Sequence, residues 1–296
     1  MDPPLDCQSR PVENSFKLTR VGVTGVLKPV VVHRKGVENH LVAALDVFVN
    51  LPSTQRGSHM SRNMEVINEM IDVGVRQKVP SLEQLAANIA RKLLERHEYA
   101  SYAEVRMSAD YFLERKPDGG KRSLEPYKLI ARATARRGLP IMKEVGVEVQ
   151  GMTVCPCAME TALRKLEQDV PELRKLAGKA PTISHNQRNR TTLIVEAPED
   201  AHVEADDLIS IVESSLSSPT FGVLKRSDEA NIVIRSHKNP KFVEDVVRDI
   251  LGKILRKYRK LEDSAHVTVR SESEESIHKH NAFAERITTL GELRSK

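Results

Sequence analysis

The chain has no tryptophan, and Phe, Tyr and Trp together make up only 4% of its 296 residues. So few rings argue against a platform for single-stranded nucleic acid, which needs successive exposed aromatics to stack bases. Three cysteines, Cys7, Cys155 and Cys157, cannot staple a chain of this length. A disulfide scaffold is therefore excluded, and the expected setting is a reducing compartment, the cytoplasm. No run of 18 apolar residues occurs, which rules out a transmembrane helix. The opening MDPPLDCQSRPVENS has neither a basic start nor an apolar stretch, so no secretory signal is expected. Charge of one sign is also scarce: 46 Lys and Arg against 41 Asp and Glu leave +5. That is too mild for the focused basic face of a DNA binder, and a basic binding protein without catalysis is disfavoured. A small anionic substrate remains compatible.

What is present is a globular composition, with 40% hydrophobic and 29% charged residues. Residues 1–15 read as a loose Pro-rich tail. Strands are predicted over Leu18 to Val32, Leu41 to Asn50 and Ala103 to Ala109, where apolar and polar residues alternate or β-branched residues cluster. Two helices are predicted between them. The first carries Met64, Ile67, Ile71 and Val75 on one face after Ser61 as a possible N-cap. The second opens on Ser81 and Gln84, a capping box, and continues with Leu82, Leu85, Ala86, Ile89 and Leu93. The second half repeats this grammar. Strands are predicted at Val145 to Val149, Thr192 to Glu196 and Ala265 to Ser271. Helices are predicted at Asp206 to Leu216 and from Pro240, at N1, to about Tyr258. Lys116 to Arg122 and Arg136 to Pro140 read as loops, and Leu163 to Ala180 as a charged helical excursion.

Four patches in the second half bear reactive side chains. GMTVCPCAME puts Cys155 and Cys157 at a strand end. Cys-x-Cys is not a zinc-finger spacing and has no second pair, so a site with four cysteine ligands is impossible. A site with one thiolate plus imidazole or carboxylate ligands is open, and so is the plainer reading of buried core thiols. The other patches are SHNQRNR with His185, LKRSDEANIV with Asp228 and Glu229, and ESIHKHNAFAER with His278 and His280, all in polar, non-helical contexts. A lone His there is ordinarily a solvated residue, but four patches together can converge on a metal. In the first half, RGSHMSR sets His59 between Arg56 and Arg62 before a helix, which suits a phosphate. The plainer reading is a polar N-cap loop.

Taken in order, LTRVGVTG, RGSHMSR, HEYASYAEV, GMTVCPCA, SHNQR, LKRSDEA, HKNPKFVEDVVRD, ESIHKHNAFAER and GELR span Leu18 to Arg294. In these motifs the chain resembles the archaeal GTP cyclohydrolases of methanopterin biosynthesis, relatives of the bacterial type IB GTP cyclohydrolases. The resemblance implies an α+β tunnelling fold. It would consist of two tandem modules of antiparallel strands with paired helices, residues 16–140 and 141–296, the second carrying most of the metal site. It implies a hydrolase that opens the guanine ring of GTP, releases formate and pyrophosphate, and yields 7,8-dihydroneopterin 2',3'-cyclic phosphate. The type IB alternative gives 7,8-dihydroneopterin triphosphate for folate. A remoter alternative is a tunnelling-fold nitrile reductase, which would use a Cys nucleophile and NADPH.

The same resemblance implies one Fe(II) per site, with Mn(II) or Zn(II) as alternatives. It assigns Cys155, His185, Glu229 and His278 to the metal, with Cys155, His185 and His278 catalytic. Cys157 can exchange roles with Cys155, and His280 with His278. Glu244 would accept from guanine N1 and N2. By charge alone, Arg62, Arg188, Lys225 and Arg226 are candidates for the triphosphate, with His59 between its two arginines as a further substrate contact. Subunits would pair as a homodimer or a dimer of dimers, with active sites at their interfaces and no nucleic-acid or membrane partner. The 29 residues between Cys155 and His185 exceed the bacterial spacing, which favours the archaeal type.

Overall fold

A computed structural model describes residues 7–8, 10, 12–34, 37–77, 79–117, 120–176 and 182–295. The expected tail in 1–6, 9 and 11, the loop tip at 118–119 and residues 177–180 of the charged excursion lie outside the described residues. So does the side chain of Val75.

The elements run β1 (Leu18–Arg34), β2 (Val37–Leu51), α1 (Met60–Gln77), α2 (Leu82–Arg96), β3 (Tyr102–Arg115), β4 (Ser123–Arg136) and β5 (Met142–Val154). They continue with α3 (Pro156–Asp169), a 3-10 turn (Pro171–Leu176), β6 (Asn186–Pro198), α4 (Ala205–Ser215) and the short β7 (Ser218–Pro219). The chain ends with α5 (Arg226–Lys238), α6 (Val243–Lys257), β8 (His266–Ser273), β9 (Ala282–Thr289) and α7 (Leu290–Arg294).

These strands form one nine-stranded sheet in the order β1-β2-β3-β4-β5-β6-β8-β9, with β7 on β5. The pairings β1–β2, β2–β3, β5–β7 and β8–β9 are antiparallel. This corrects the expectation of a tunnelling fold with two tandem modules. The chain does divide into two compact units. Unit 1 is 1–110, 129–145 and 196–202; unit 2 is 111–128, 146–195 and 203–296. The strands β3, β4, β5 and β6 each contribute residues to both, so the units are not consecutive along the sequence.

Within unit 1, β2 buries Ala43, Leu45, Val47 and Val49, the period of two expected of a half-buried strand. The β1–β2 register slips between Val23 and Val26. Gly25 takes the extra position with φ of 69° and donates its N–H to Asp46 Oδ1 at 2.8 Å. A glycine is needed there because a side chain at positive φ would be strained. Ser81 caps α2 as expected, its Oγ accepting from the Gln84 N–H at 3.3 Å. A cap of this kind contributes about 1 kcal/mol. Ser61, by contrast, is not a cap, since α1 already begins at Met60.

Within unit 2, α6 turns Val243, Val246, Val247, Ile250 and Ile254 inward and packs on β8, where Val267 and Val269 are buried. Its first turn starts at Val243 after Phe242, so Pro240 precedes the helix instead of occupying N1. Five elements had no sequence counterpart: β4, β7, α5, β9 and α7. In β4 the buried alternation runs through Leu129, Ala131, Ala133 and Ala135, mostly alanine, a weak strand former. No helix among the described residues is long and apolar enough to cross a membrane.

Candidate active site

Strand β5 ends in Thr153 and Val154, both buried, and delivers Cys155 to the start of α3. Pro156 stops the strand from extending because it has no N–H for the ladder and is preset for a first helical turn. Cys155 becomes the N-cap, and its Sγ accepts from the Ala158 N–H at 3.5 Å. It is partly buried, whereas Cys157 is exposed.

The segment before β6 is strapped to this corner. The Cys155 N–H donates to the His185 carbonyl at 3.2 Å, and Ser184 Oγ donates to the Cys155 carbonyl at 2.7 Å. The backbones of the cysteine and histidine patches are thereby joined.

The imidazole of His185 has a definite orientation. Its Nδ1 lies 2.9 Å from Gln187 Oε1 and 3.5 Å from Glu275 Oε2. Gln187 is itself oriented, since its Nε2 donates to Thr153 Oγ1 and to Glu275 Oε1, each at 3.1 Å. Both neighbours of Nδ1 are therefore acceptors. In the neutral ring that arrangement favours the tautomer with its proton on Nδ1, whose Nε2 lone pair suits an electrophile or metal.

His278 and His280 stand on the loop between β8 and β9, both exposed. The His278 ring meets the His185 ring edge-on, with centroids 6.2 Å apart, and His280 stacks on His278 at 5.1 Å. The loop is neither helix nor strand, and it brings both imidazoles to one spot.

LKRSDEA separates into two roles. Asp228 is buried and its Oδ2 accepts from the Lys225 N–H at 2.9 Å, capping α5. Glu229, one residue on, is exposed in the first turn. The patch is therefore helical, contrary to its non-helical expectation. Glu244 is exposed in the first turn of α6. Arg188, Lys225 and Arg226 are exposed in unit 2. Arg188 lines a cavity of about 240 Å³ with Glu125, Tyr127 and Phe221. His59 and Arg62 belong to unit 1, where the Arg62 N–H donates to the His59 carbonyl at 3.1 Å as α1 begins.

The donor types suit a borderline cation: a thiol, an imidazole with an oriented free nitrogen, and a second imidazole facing it. The Glu275–Gln187 pair on Nδ1 is the outer-shell support that metal-bound histidines ordinarily have. Among the described residues, no three His, Cys, Asp or Glu side chains are close enough to hold an ion between them. Glu275, Gln187 and Thr153 were missed by sequence reasoning. Glu275 and Gln187 sit inside the motifs ESIHKH and SHNQR, but no spacing rule singles them out.

A model of the family described as type I GTP cyclohydrolase folE2 matches residues 5–284. The chain is 44% identical to GTP cyclohydrolase MptA of Methanothermobacter thermautotrophicus, over 98% of this chain and 94% of that protein. It is 42% identical to the MptA of Methanobrevibacter smithii, over 95% and 94%, and 41% identical to that of Methanococcoides burtonii, over 98% and 96%. Among solved structures, it is similar to a hyper-thermostable AgUricase mutant, with a TM-score of 0.51 and 7% identity over 92% of this chain and 91% of that one. This last likeness shows the fold alone. It stands with the continuous sheet in place of the tandem-module tunnelling fold.

Proposed function

Because the chain belongs to the type I GTP cyclohydrolase folE2 family, we propose that it converts GTP to 7,8-dihydroneopterin 2',3'-cyclic phosphate, with loss of formate and pyrophosphate, in methanopterin-type pterin synthesis in the cytoplasm. As a member of that family it is a hydrolase acting on GTP. The finer reading, in which the product is the cyclic phosphate, draws support from the full-length similarity to proteins named MptA in three methanogens.

The observation that carries the chemistry is the oriented ring of His185, whose backbone is tied to that of Cys155. Cys155, His185 and His278, with Glu229, are the residues that would hold a divalent ion, Fe(II) first and Mn(II) or Zn(II) as alternatives. Bound there, such an ion would lower the pKa of a water so that hydroxide could exist near neutral pH. The remaining work falls to the protein. Glu275 and Gln187 hold the His185 ring by its Nδ1 and fix its orientation. His278, exposed on its loop, would serve either as a ligand of that ion or as the acid that protonates the opening imidazole ring of guanine. Glu244 offers two acceptor oxygens to guanine N1 and N2, a pair that adenine cannot match. Arg188, Lys225 and Arg226 in unit 2, with Arg62 and His59 in unit 1, are the candidates for the triphosphate.

A homodimer or dimer of dimers belongs to the same reading. It is supported by the lack of a three-donor cluster within the described residues of one chain, and by exposed Leu18 and Leu27 on β1 and Phe283 and Ile287 on β9. Such apolar side chains on terminal strands of a sheet suit pairing with a second copy. The reductase alternative draws no support from the family.

The test is an anaerobic assay of the purified full chain with GTP and Fe(II), Mn(II) or Zn(II) in turn. The expected product is a pterin with one cyclic phosphate, one formate and one pyrophosphate per turnover. A triphosphate product would assign the type IB reaction instead, and no pterin with any of the three metals would overturn the metal-dependent reading.

A further inference from the structure

Unit 1 contains a cavity of about 620 Å³, lined among others by Lys17, Arg20, Ser101, Tyr102, Arg132 and Arg136. It has four cationic side chains and no carboxylate in its lining. None of them belongs to the cysteine and histidine patches.

Behind it lies Glu104, with no exposed surface. Its carboxylate pairs with Arg20 at 3.3 Å, Arg106 at 2.6 Å and Arg132 at 3.4 Å, and it accepts the Tyr102 hydroxyl. Burial alone would push this carboxyl up. The Tyr102 hydrogen bond and the Arg132 and Arg106 charges outweigh that and hold it below its ordinary value. One anion thus fixes three guanidiniums without neutralising them. Arg132 has a second carboxylate, Glu144 at 2.6 Å, yet its Nε is buried with no hydrogen-bond partner. Lys17 and Arg136 have no ion pair among the described residues, and Arg136 lies over the Tyr102 ring at 5.4 Å.

The cluster is also held in place. Asn50 Oδ1 accepts from the Ser101 and Tyr102 N–H groups, each at 2.8 Å, and its Nδ2 donates to Ser101 Oγ at 3.1 Å. A merely solvated charged surface requires neither a fully buried carboxylate nor this bracing. Lys17 and Arg136, without an ion pair among the described residues, line the same cavity as Arg20 and Arg132; like charges so placed repel one another, and a bound anion relieves that repulsion.

We propose that this cavity is a binding site for a polyphosphate chain of two or more phosphates, free or carried on a nucleoside. Guanidinium groups pair with phosphate through two parallel N–H donors. The cavity falls within the ordinary range for small ligands, roughly 300–1,000 Å³, and exceeds what a single phosphate needs. The site does not depend on the metal chemistry proposed above, and its failure would leave that reading intact.

The test is calorimetric titration of the full chain, in low-salt buffer without metal, with inorganic pyrophosphate and separately with ADP. Wild type is expected to bind pyrophosphate, and K17A/R136A to bind it at least tenfold more weakly with an unchanged Tm. Neither replaced residue pairs with Glu104, so the double variant keeps the buried cluster. The control R91A, which removes an exposed cation paired with Glu199, should bind as wild type does. Equal affinity for the two probes would identify the phosphate chain as the ligand, and tighter ADP binding would identify its nucleoside-borne form. Absence of binding by both probes, or wild-type affinity in K17A/R136A, would overturn the proposal.

Discussion

Two histidines, one in each unit, show how differently the same side chain is used. His97, in unit 1, has no exposed surface and both ring nitrogens are engaged. Its Nε2 lies 2.8 Å from Asn63 Oδ1 and its Nδ1 2.9 Å from the Tyr99 hydroxyl, which continues to Ser58 Oγ at 2.8 Å. Burial first, then the charges of Arg62 and His59, lower its pKa to about 4. It is a neutral brace between the RGSHMSR and HEYASYAEV motifs. His185, in unit 2, is braced on Nδ1 alone. A ring satisfied on both sides holds structure, whereas a ring held on one side is oriented for something not yet bound.

The largest expected break in that comparison is Cys155→Ala. It should bring formate release from GTP to background while circular dichroism and Tm stay near wild type. Activity surviving this change would remove the thiol from the site. Next is His97→Ala, which leaves Asn63 and Tyr99 unpaired in a buried space and should cost about 3 kcal/mol in urea unfolding. A loss below about 1 kcal/mol would mean the brace is dispensable.

The pH response sharpens the same contrast. The unfolded chain binds a proton at His97 near the ordinary value of 6.5, the folded chain only near 4. The stability contributed by the neutral ring is therefore complete above pH 6.5 and is lost as pH falls from 6.5 toward 4. The loss reaches at most about 3 kcal/mol. Urea midpoints measured across that window should fall in wild type and show a shallower slope in His97→Gln. Equal slopes would assign the acid sensitivity elsewhere.

The smallest expected effect is that of Glu275→Gln. It keeps the shape but removes the charge beside Nδ1, and should weaken metal binding by about 10–100-fold with little change in Tm. Unchanged metal affinity in a competitive chelator titration would make Glu275 a bystander.

Much of the fold was legible because burial imposes a period on the chain. The alternation of Ala43, Leu45, Val47 and Val49 and the stripe from Val243 to Ile254 are direct imprints of one buried face. The Ser81 cap was legible because its partner, Gln84, is three residues away. β4 was not, because alanine at its buried positions carries little strand preference. The first turn of α5 was hidden too, because LKRSDEA is polar throughout and its cap, Asp228, is known only by the hydrogen bond it makes.

The amino-acid order by itself determined the family, through motifs spread from residue 18 to residue 294, and named Cys155, His185 and His278 as chemically able. Only the tertiary structure decided that the strands join as one sheet, and that Glu275 and Gln187 reach across to orient His185. It also decided that Glu104 gathers arginines from three strands. The physical reason is range. Caps and periodic faces are written in neighbours a few residues apart. A proton held on one ring nitrogen, or a carboxylate buried among distant guanidiniums, depends on groups that only the folded chain brings within hydrogen-bonding distance.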